Sequence, residues 1–164
     1  MMFSFRDPTL DDVDWITEAC QDSEILRWTV VPRPYTKDHA RSFVADHAGE
    51  LHAWAIIDSE DDRGAGMLGV HHVIDGVASI GYWIAPWARR RGAATAAVMF
   101  ACQELLTWEG VTAVSATIAE TNTASRGVAE RAGLTLVETP ATQTCPDGDV
   151  TVASVIYRRP LERR

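Results

Sequence analysis

Apolar and polar positions along this chain follow two periods, and the switches between them mark the elements. Phe3–Arg6 predicts a short strand. Thr9 precedes an apolar-periodic stretch that predicts a helix to about Cys20, with Asp11 and Asp12 in its first turn. A second short helix is predicted over Asp22–Trp28. Pro32 and Pro34 break the chain, Thr36 caps a helix over Lys37–His47, and Gly49 stops it. Leu51–Ile57 is apolar without clean alternation and predicts a strand. Acidic, glycine-bearing Asp58–Gly66 predicts a hairpin loop, and Met67–Ile74 the next strand. Asp75-Gly76 is a hairpin turn that returns the chain antiparallel as Val77–Ile84. Pro86 ends that strand because proline cannot donate to the ladder.

A long helix is predicted from Ala93 to near Gly110, with Ala94, Val98, Ala101, Leu105 and Trp108 as its apolar positions. Val111–Ile118 follows as a strand parallel to the preceding one through a right-handed crossover. Thr123–Ala132 predicts a short helix with Gly133 just past its end. Leu134–Glu138 and Val150–Arg158 predict two closing strands around a loop over Pro140–Asp149.

The organising stretch is Ile80–Glu109. Its strand, tight basic turn (Arg89-Arg90-Arg91-Gly92) and helix form an anion-binding construction. The first N–H groups of a helix have no internal partner, and the helix dipole places partial positive charge there. Gly92, Ala93 and Ala94 leave the backbone bare enough for a phosphate to approach. The same pattern also suits an ordinary strand–helix junction with solvated arginines.

Composition narrows the function classes. A chain of 164 residues with 46% hydrophobic and 23% charged content suits one globular domain, here residues 1–164. A net charge of −8 argues against general nucleic-acid binding. Lys37 is the only lysine, which rules out a Walker-type phosphate loop and any Schiff-base lysine elsewhere. Cys20, Cys102 and Cys145 are widely spaced and imply neither a disulfide framework nor a metal site. No apolar run reaches membrane-spanning length and no signal-peptide pattern opens the chain, so a cytoplasmic protein without a membrane partner is expected.

With these residues in view, the chain resembles the GNAT acyltransferase superfamily. Arg89-x-x-Gly92-x-Ala94 matches that family's Q/R-x-x-G-x-G/A signature. Ile84-Ala85-Pro86 precedes it, and Asn122-Thr123-Ala124-Ser125 with Glu130-Arg131-Ala132-Gly133-Leu134 follows. The ordered set is most similar to the RimJ/RimL-type branch, which acetylates N-termini of ribosomal proteins. The resemblance implies an α+β (mixed α/β) fold. Its sheet would be central, mixed and mostly antiparallel, with about seven strands, the parallel strands 4 and 5 splayed, and helices on both faces.

The resemblance also implies acetyl-CoA as co-substrate, with its pyrophosphate on Arg89, Arg90, Arg91, Gly92, Ala93, Ala94 and Thr95. Its pantetheine arm would lie along Trp83, Ile84 and Ala85, where a free N–H would polarise the thioester carbonyl. Asn122 would bond a pantetheine amide, although Asn-Thr ahead of a helix is equally capping chemistry. Ser125 would bind the cofactor and act as catalytic acid toward the leaving thiolate, with Tyr157 as the fallback. Trp28, Tyr35 and Tyr82 are candidate acceptor-site aromatics. The general base stays open among His71, His72, Glu120, Glu138 and a water chain. Adjacent strand residues face opposite ways, so only one of the two histidines can face the cleft.

The implied reaction is direct acetyl transfer to a primary amine, on a protein N-terminus or a small molecule, by a monomer or homodimer. The competing reading is an acyl-CoA-sensing module without transfer. A Rossmann-like nucleotide binder lacks its G-x-G-x-x-G.

Overall fold

The computed structural model describes residues 2–138 and 142–163. In chain order the elements are β1 (Phe3–Arg6), α1 (Val13–Ala19, entered through a 3-10 turn at Leu10–Asp12), α2 (Ser23–Trp28) and α3 (Lys37–Asp46). Next come β2 (His52–Asp58), β3 (Gly64–Ile74), β4 (Val77–Ile84) and α4 (Ala93–Leu105). The chain finishes with β5 (Ala113–Ala119), α5 (Thr123–Arg131), β6 (Thr135–Leu136), β7 (Thr144–Asp147) and β8 (Val150–Pro160). One eight-stranded sheet runs in the order β1-β2-β3-β4-β5-β8-β6, with β7 added on β8. Among the described residues only the β4–β5 pair is parallel.

Both faces of the sheet are covered. On one face α4 and α5 pack over Ile56, Leu68, Val70 and Ile80. On the other, α1, α2 and α3 pack over Ala55, Ile57, Met67 and Ala85. This explains why β2 reads apolar without alternation: every residue from Ala53 to Asp58 is buried. Helix α4 turns Ala93, Ala97 and Ala101 inward beside Val98 and Leu105. The small side chains let the helix lie close to the sheet, and fully buried Leu105 contributes about 1.5–3 kcal/mol of apolar transfer.

Two irregularities position the site. The parallel β4–β5 pairing extends only over Val77↔Ala113, Ala78↔Val114 and Ser79↔Ser115. Strand β5 then stays with β8 as far as Ala119↔Ser154, so the two parallel strands diverge and Ile80–Ile84 loses its neighbour on that side. The second is a bulge in β3. Register jumps between Val70↔Ile80 and His72↔Ser79, leaving His71 as the extra residue.

Several expectations change. Asp58–Gly66 is not all loop: Asp58 ends β2 and Gly64–Gly66 begins β3. The charges in the connection are held, with Arg91 on Asp58 and Glu60 and the Arg63 guanidinium 4.0 Å over the Trp87 ring. The loop expected over Pro140–Asp149 contains strand β7, which is why the sheet exceeds seven strands; Pro140 and Ala141 lie outside the described residues. Pro146 sits in β7 because that strand pairs only with β8 and needs no second donor row. The strand expected at Leu134–Glu138 shrinks to Thr135–Leu136.

Candidate functional site

The strand–turn–helix stretch forms an open cradle. Gly92 sits at the N-cap of α4 with φ +80°, a left-handed conformation that favours glycine. A Cβ built on Gly92 meets nothing within 4 Å, so the space above it is open. The first bond of the helix runs from Ala96 N–H to Gly92 O at 2.9 Å, and no side chain caps the end. The N–H groups of Ala93, Ala94 and Thr95 therefore precede the ladder without partners from it.

The three arginines divide. Arg89 donates to the Asp22 carboxylate and to Ile84 O, tying the cradle to the start of α2. Arg91 turns away to Asp58, outside the residues that line the cleft. Only Arg90, exposed and with φ +62°, has no ion pair among the described residues. The expected three-arginine anion site thus contracts to one free cation plus backbone donors.

Beside the cradle lies a cleft of about 1230 Å³ that follows the divergence of β4 and β5. Ala85, expected to line it, does not. It is fully buried, and its N–H donates to Ala65 O at 2.8 Å. Backbone groups alternate sides along an antiparallel strand, so Ile84 N–H points away from β3, into the divergence. Ile84 and Trp83 do line the cleft. The Trp83 ring also packs against Trp15, with centroids 6.0 Å apart.

Asn122 and Ser125 enter from the other wall. Asn122 Oδ1 accepts from Ser125 N–H at 3.2 Å, so it caps α5 and leaves its amide donors uncommitted among the described residues. Ser125 Oγ lies 2.8 Å from the Tyr82 hydroxyl, and either atom can donate. Tyr82, expected among the acceptor aromatics, lines the cleft, and its ring packs on the α4–α5 side of the sheet. Burial pushes the Tyr82 hydroxyl above the ordinary tyrosine range, against the opposing effects of the Ser125 bond and the Arg131 charge. The hydroxyl therefore keeps its proton at neutral pH. Tyr157, the fallback acid, is 1% exposed, donates to Glu130 and accepts from Arg126, so its hydroxyl is already engaged.

The α2–α3 side carries the remaining candidates. Trp28 lines the cleft, donates to Glu24 at 3.1 Å and lies under the Arg27 guanidinium. Tyr35 reaches the cleft but is mainly core, packed by Cys20 and Ile16. Burial raises the Tyr35 hydroxyl and pushes the Cys20 thiol up to about 12, leaving that thiol inert.

His71 lines this cleft, whereas His72 lines a separate small pocket with Ser79 and Ser115. Glu120 and Glu138 are exposed and outside the cleft lining. The sequence reading missed Glu50, whose carboxylate bonds His71 Nδ1 at 2.6 Å, and Cys145 and Pro146 of β7, which also line the cleft. Among the described residues no group of three or more His, Cys, Asp or Glu could hold a metal ion, and no helix is long and apolar enough to cross a membrane.

Comparison with known proteins follows this geometry. Among the solved structures that match over nearly their whole length are three acetyltransferases. RimL, a ribosomal L7/L12 α-N-protein acetyltransferase in complex with coenzyme A, superposes with TM-score 0.80 at 17% identity, covering 98% of this chain and 95% of that one. The microcin C7 self-immunity acetyltransferase MccE, in complex with acetyl-CoA and AMP, gives 0.83 at 18% identity, with 97% and 92% covered. Spermidine N-acetyltransferase from Vibrio cholerae, with coenzyme A and spermine, gives 0.78 at 15% identity, with 98% and 96% covered. At these identities the likeness is one of fold. No curated protein sequence matches. The family model described as the acetyltransferase (GNAT) domain matches residues 3–135, most of the chain. The mixed sheet with its diverging parallel pair is the scaffold of that domain, and this chain belongs to the GNAT acetyltransferase family.

Proposed function

We propose that this protein is an acetyl-CoA-dependent N-acetyltransferase of the RimJ/RimL type. It would move an acetyl group directly to a primary amine, on a protein N-terminus or a small molecule. The observation that carries the reading is the Ser125–Tyr82 hydroxyl pair, 2.8 Å apart, set across the cleft between β4 and α5 beside the uncapped start of α4.

The residues present fit acyl-CoA. A pyrophosphate suits the N–H groups of Ala93, Ala94 and Thr95, the open space over Gly92 and the free charge of Arg90. An extended amide-bearing arm suits the unpaired side of β4 at Ile84 and the amide of Asn122. Acetyl-CoA supplies an activated acyl group with a thiol leaving group. Ile84 N–H stands on the divergent edge, where it can donate to a developing oxyanion. Ser125, backed by the protonated Tyr82 hydroxyl, supplies a proton to the departing sulfur. Carboxylates of Glu24, Asp46 and Glu50 line the acceptor end with Trp28, a lining suited to a cationic amine.

Release of free thiol from acetyl-CoA tests the reading across a panel of N-terminal peptides, polyamines and amino-acid derivatives, alongside calorimetry with coenzyme A. Amine-dependent thiol release with measurable coenzyme A binding is expected. Binding without release for any amine would leave only a sensing module.

A further inference from the structure

We propose that His71 is the general base for the acceptor amine and that Glu50 is its positioning residue; the assignment rests on the transfer reading above. Four observations converge on this pair. His71 is the extra residue of the β3 bulge, and a bulge re-aims the side chain that it carries. Its Nδ1 lies 2.6 and 2.7 Å from the two oxygens of Glu50, which makes Nδ1 the protonated nitrogen and leaves Nε2 as an acceptor. The ring lies over Gly81, where a built Cβ would come within 2.5 Å of Nε2. Gly81 pairs directly with Gly69, over which the Glu50 carboxylate lies at 3.1 Å from a built Cβ. Two facing glycines thus clear a floor on which the carboxylate and the imidazole lie side by side.

Position on the sheet gives the dyad its function. Gly81 and Tyr82 are neighbours on β4, so their outward directions are opposite. His71 stands over the face covered by α2 and α3, and Tyr82 reaches Ser125 on the α4–α5 face. A base on one face and an acid on the other flank the edge where β4 has lost β5. In the reaction the amine gives its first proton to solvent and reacts in the neutral form; His71 Nε2 takes the second as the nitrogen bonds the acetyl carbon. The C–S bond opens with its electron pair on sulfur, and the sulfur takes a proton from the Ser125–Tyr82 pair. The imidazolium is held by the Glu50 carboxylate until it loses its proton to solvent, and the Ser125–Tyr82 pair regains one proton from solvent. The other titratable groups lining this end are Glu24 of α2, Tyr35, and His39 and Asp46 of α3. His39 Nδ1 is engaged by Thr36, Glu24 by the Trp28 indole and Asp46 by Ala48 N–H, and among the described residues none of the three hydrogen-bonds His71.

The test compares wild type with His71→Gln, Glu50→Gln and Gly81→Ala, using the amine found by the thiol-release panel. His71→Gln is expected to keep coenzyme A affinity, to lower kcat/KM by roughly 10²-fold, and to lose the acidic limb of the pH profile. Glu50→Gln should lower kcat/KM by roughly tenfold and shift that limb, a change that a purely structural role would not produce. Gly81→Ala pushes the ring aside without removing it and should fall between the two. Free imidazole should partly restore His71→Ala. A His71→Gln enzyme with wild-type kcat/KM and an unchanged acidic limb would overturn the dyad alone. Coenzyme A binding with no amine acetylated by wild type would overturn the transfer reading and the dyad with it.

Discussion

Tyr82 and Ser125 are 43 residues apart in sequence and 2.8 Å apart in space. Burial keeps the tyrosine protonated, so in the proposed transfer the pair would give sulfur its proton without a charged donor in the cleft. Ser125→Ala is expected to lower kcat by roughly 10²-fold while the KM for acetyl-CoA moves little, since the bond matters mainly in the transition state. Tyr82→Phe should give a similar loss, and the double variant little more, because the two hydroxyls act as one unit. Steady-state kinetics with a competent amine read both. Gly92 provides a second test at this scale. Gly92→Ala meets no protein atom and costs about 1 kcal/mol of backbone strain. Gly92→Glu should weaken coenzyme A binding by roughly 10²-fold through like-charge contact, with native circular dichroism.

At the scale of elements, part-buried ion pairs tie the frame together. Asp12, 2% exposed, accepts from Arg6, Thr9 N–H and Trp15, fixing the entry of α1 against β1. Burial alone would raise its carboxyl, yet those three donors together pull it below the ordinary aspartate value. A carboxyl lowered in the folded state binds fewer protons folded than unfolded. Its stabilisation is therefore present above the unfolded value, about 3.9, and is lost as pH falls through the folded value below that. Asp12→Asn should cost about 1–3 kcal/mol at neutral pH and close on wild type in strong acid, as read by urea denaturation across that range.

The elements themselves were largely legible in the sequence. Pro86, Gly92 and the alanine-rich run after it mark the end of a strand, a turn and a helix, and the Asp75-Gly76 turn marks a hairpin. Strand β7 was not, because Cys145-Pro146 carries a loop signature and the strand exists only by pairing with β8. The bulge at His71 was hidden too, since it depends on register across β4. The cradle's glycine and the serine could be found by pattern. The pairing of Arg89 with Asp22, of Arg91 with Asp58 and of His71 with Glu50 could not, because each joins segments at least 21 residues apart.

Across the whole molecule, the divergence of β4 and β5 joins the open start of α4, the proposed anion cradle, to the proposed acceptor end lined by Glu24, Asp46, Glu50 and Trp28. Ligand at the cradle should stabilise the fold by mass action. Coenzyme A at about 100 times its Kd adds about 2.7 kcal/mol, which raises Tm by roughly 5–10 °C in a chain of this size. Thermal denaturation with and without ligand reads the shift, and Gly92→Glu at the same ligand concentration should cut it to about 0.4 kcal/mol. The central claim is that acetyl passes from sulfur to nitrogen at this divergence, without an acyl-enzyme. Mass spectrometry after incubation with acetyl-CoA labelled in its acetyl carbons and a competent amine tests that claim most directly. The account predicts labelled amide formed one for one with free thiol, slowed in Ser125→Ala, and no label on the protein's own side chains. Label retained on the protein, or thiol released with no labelled amide, would contradict it.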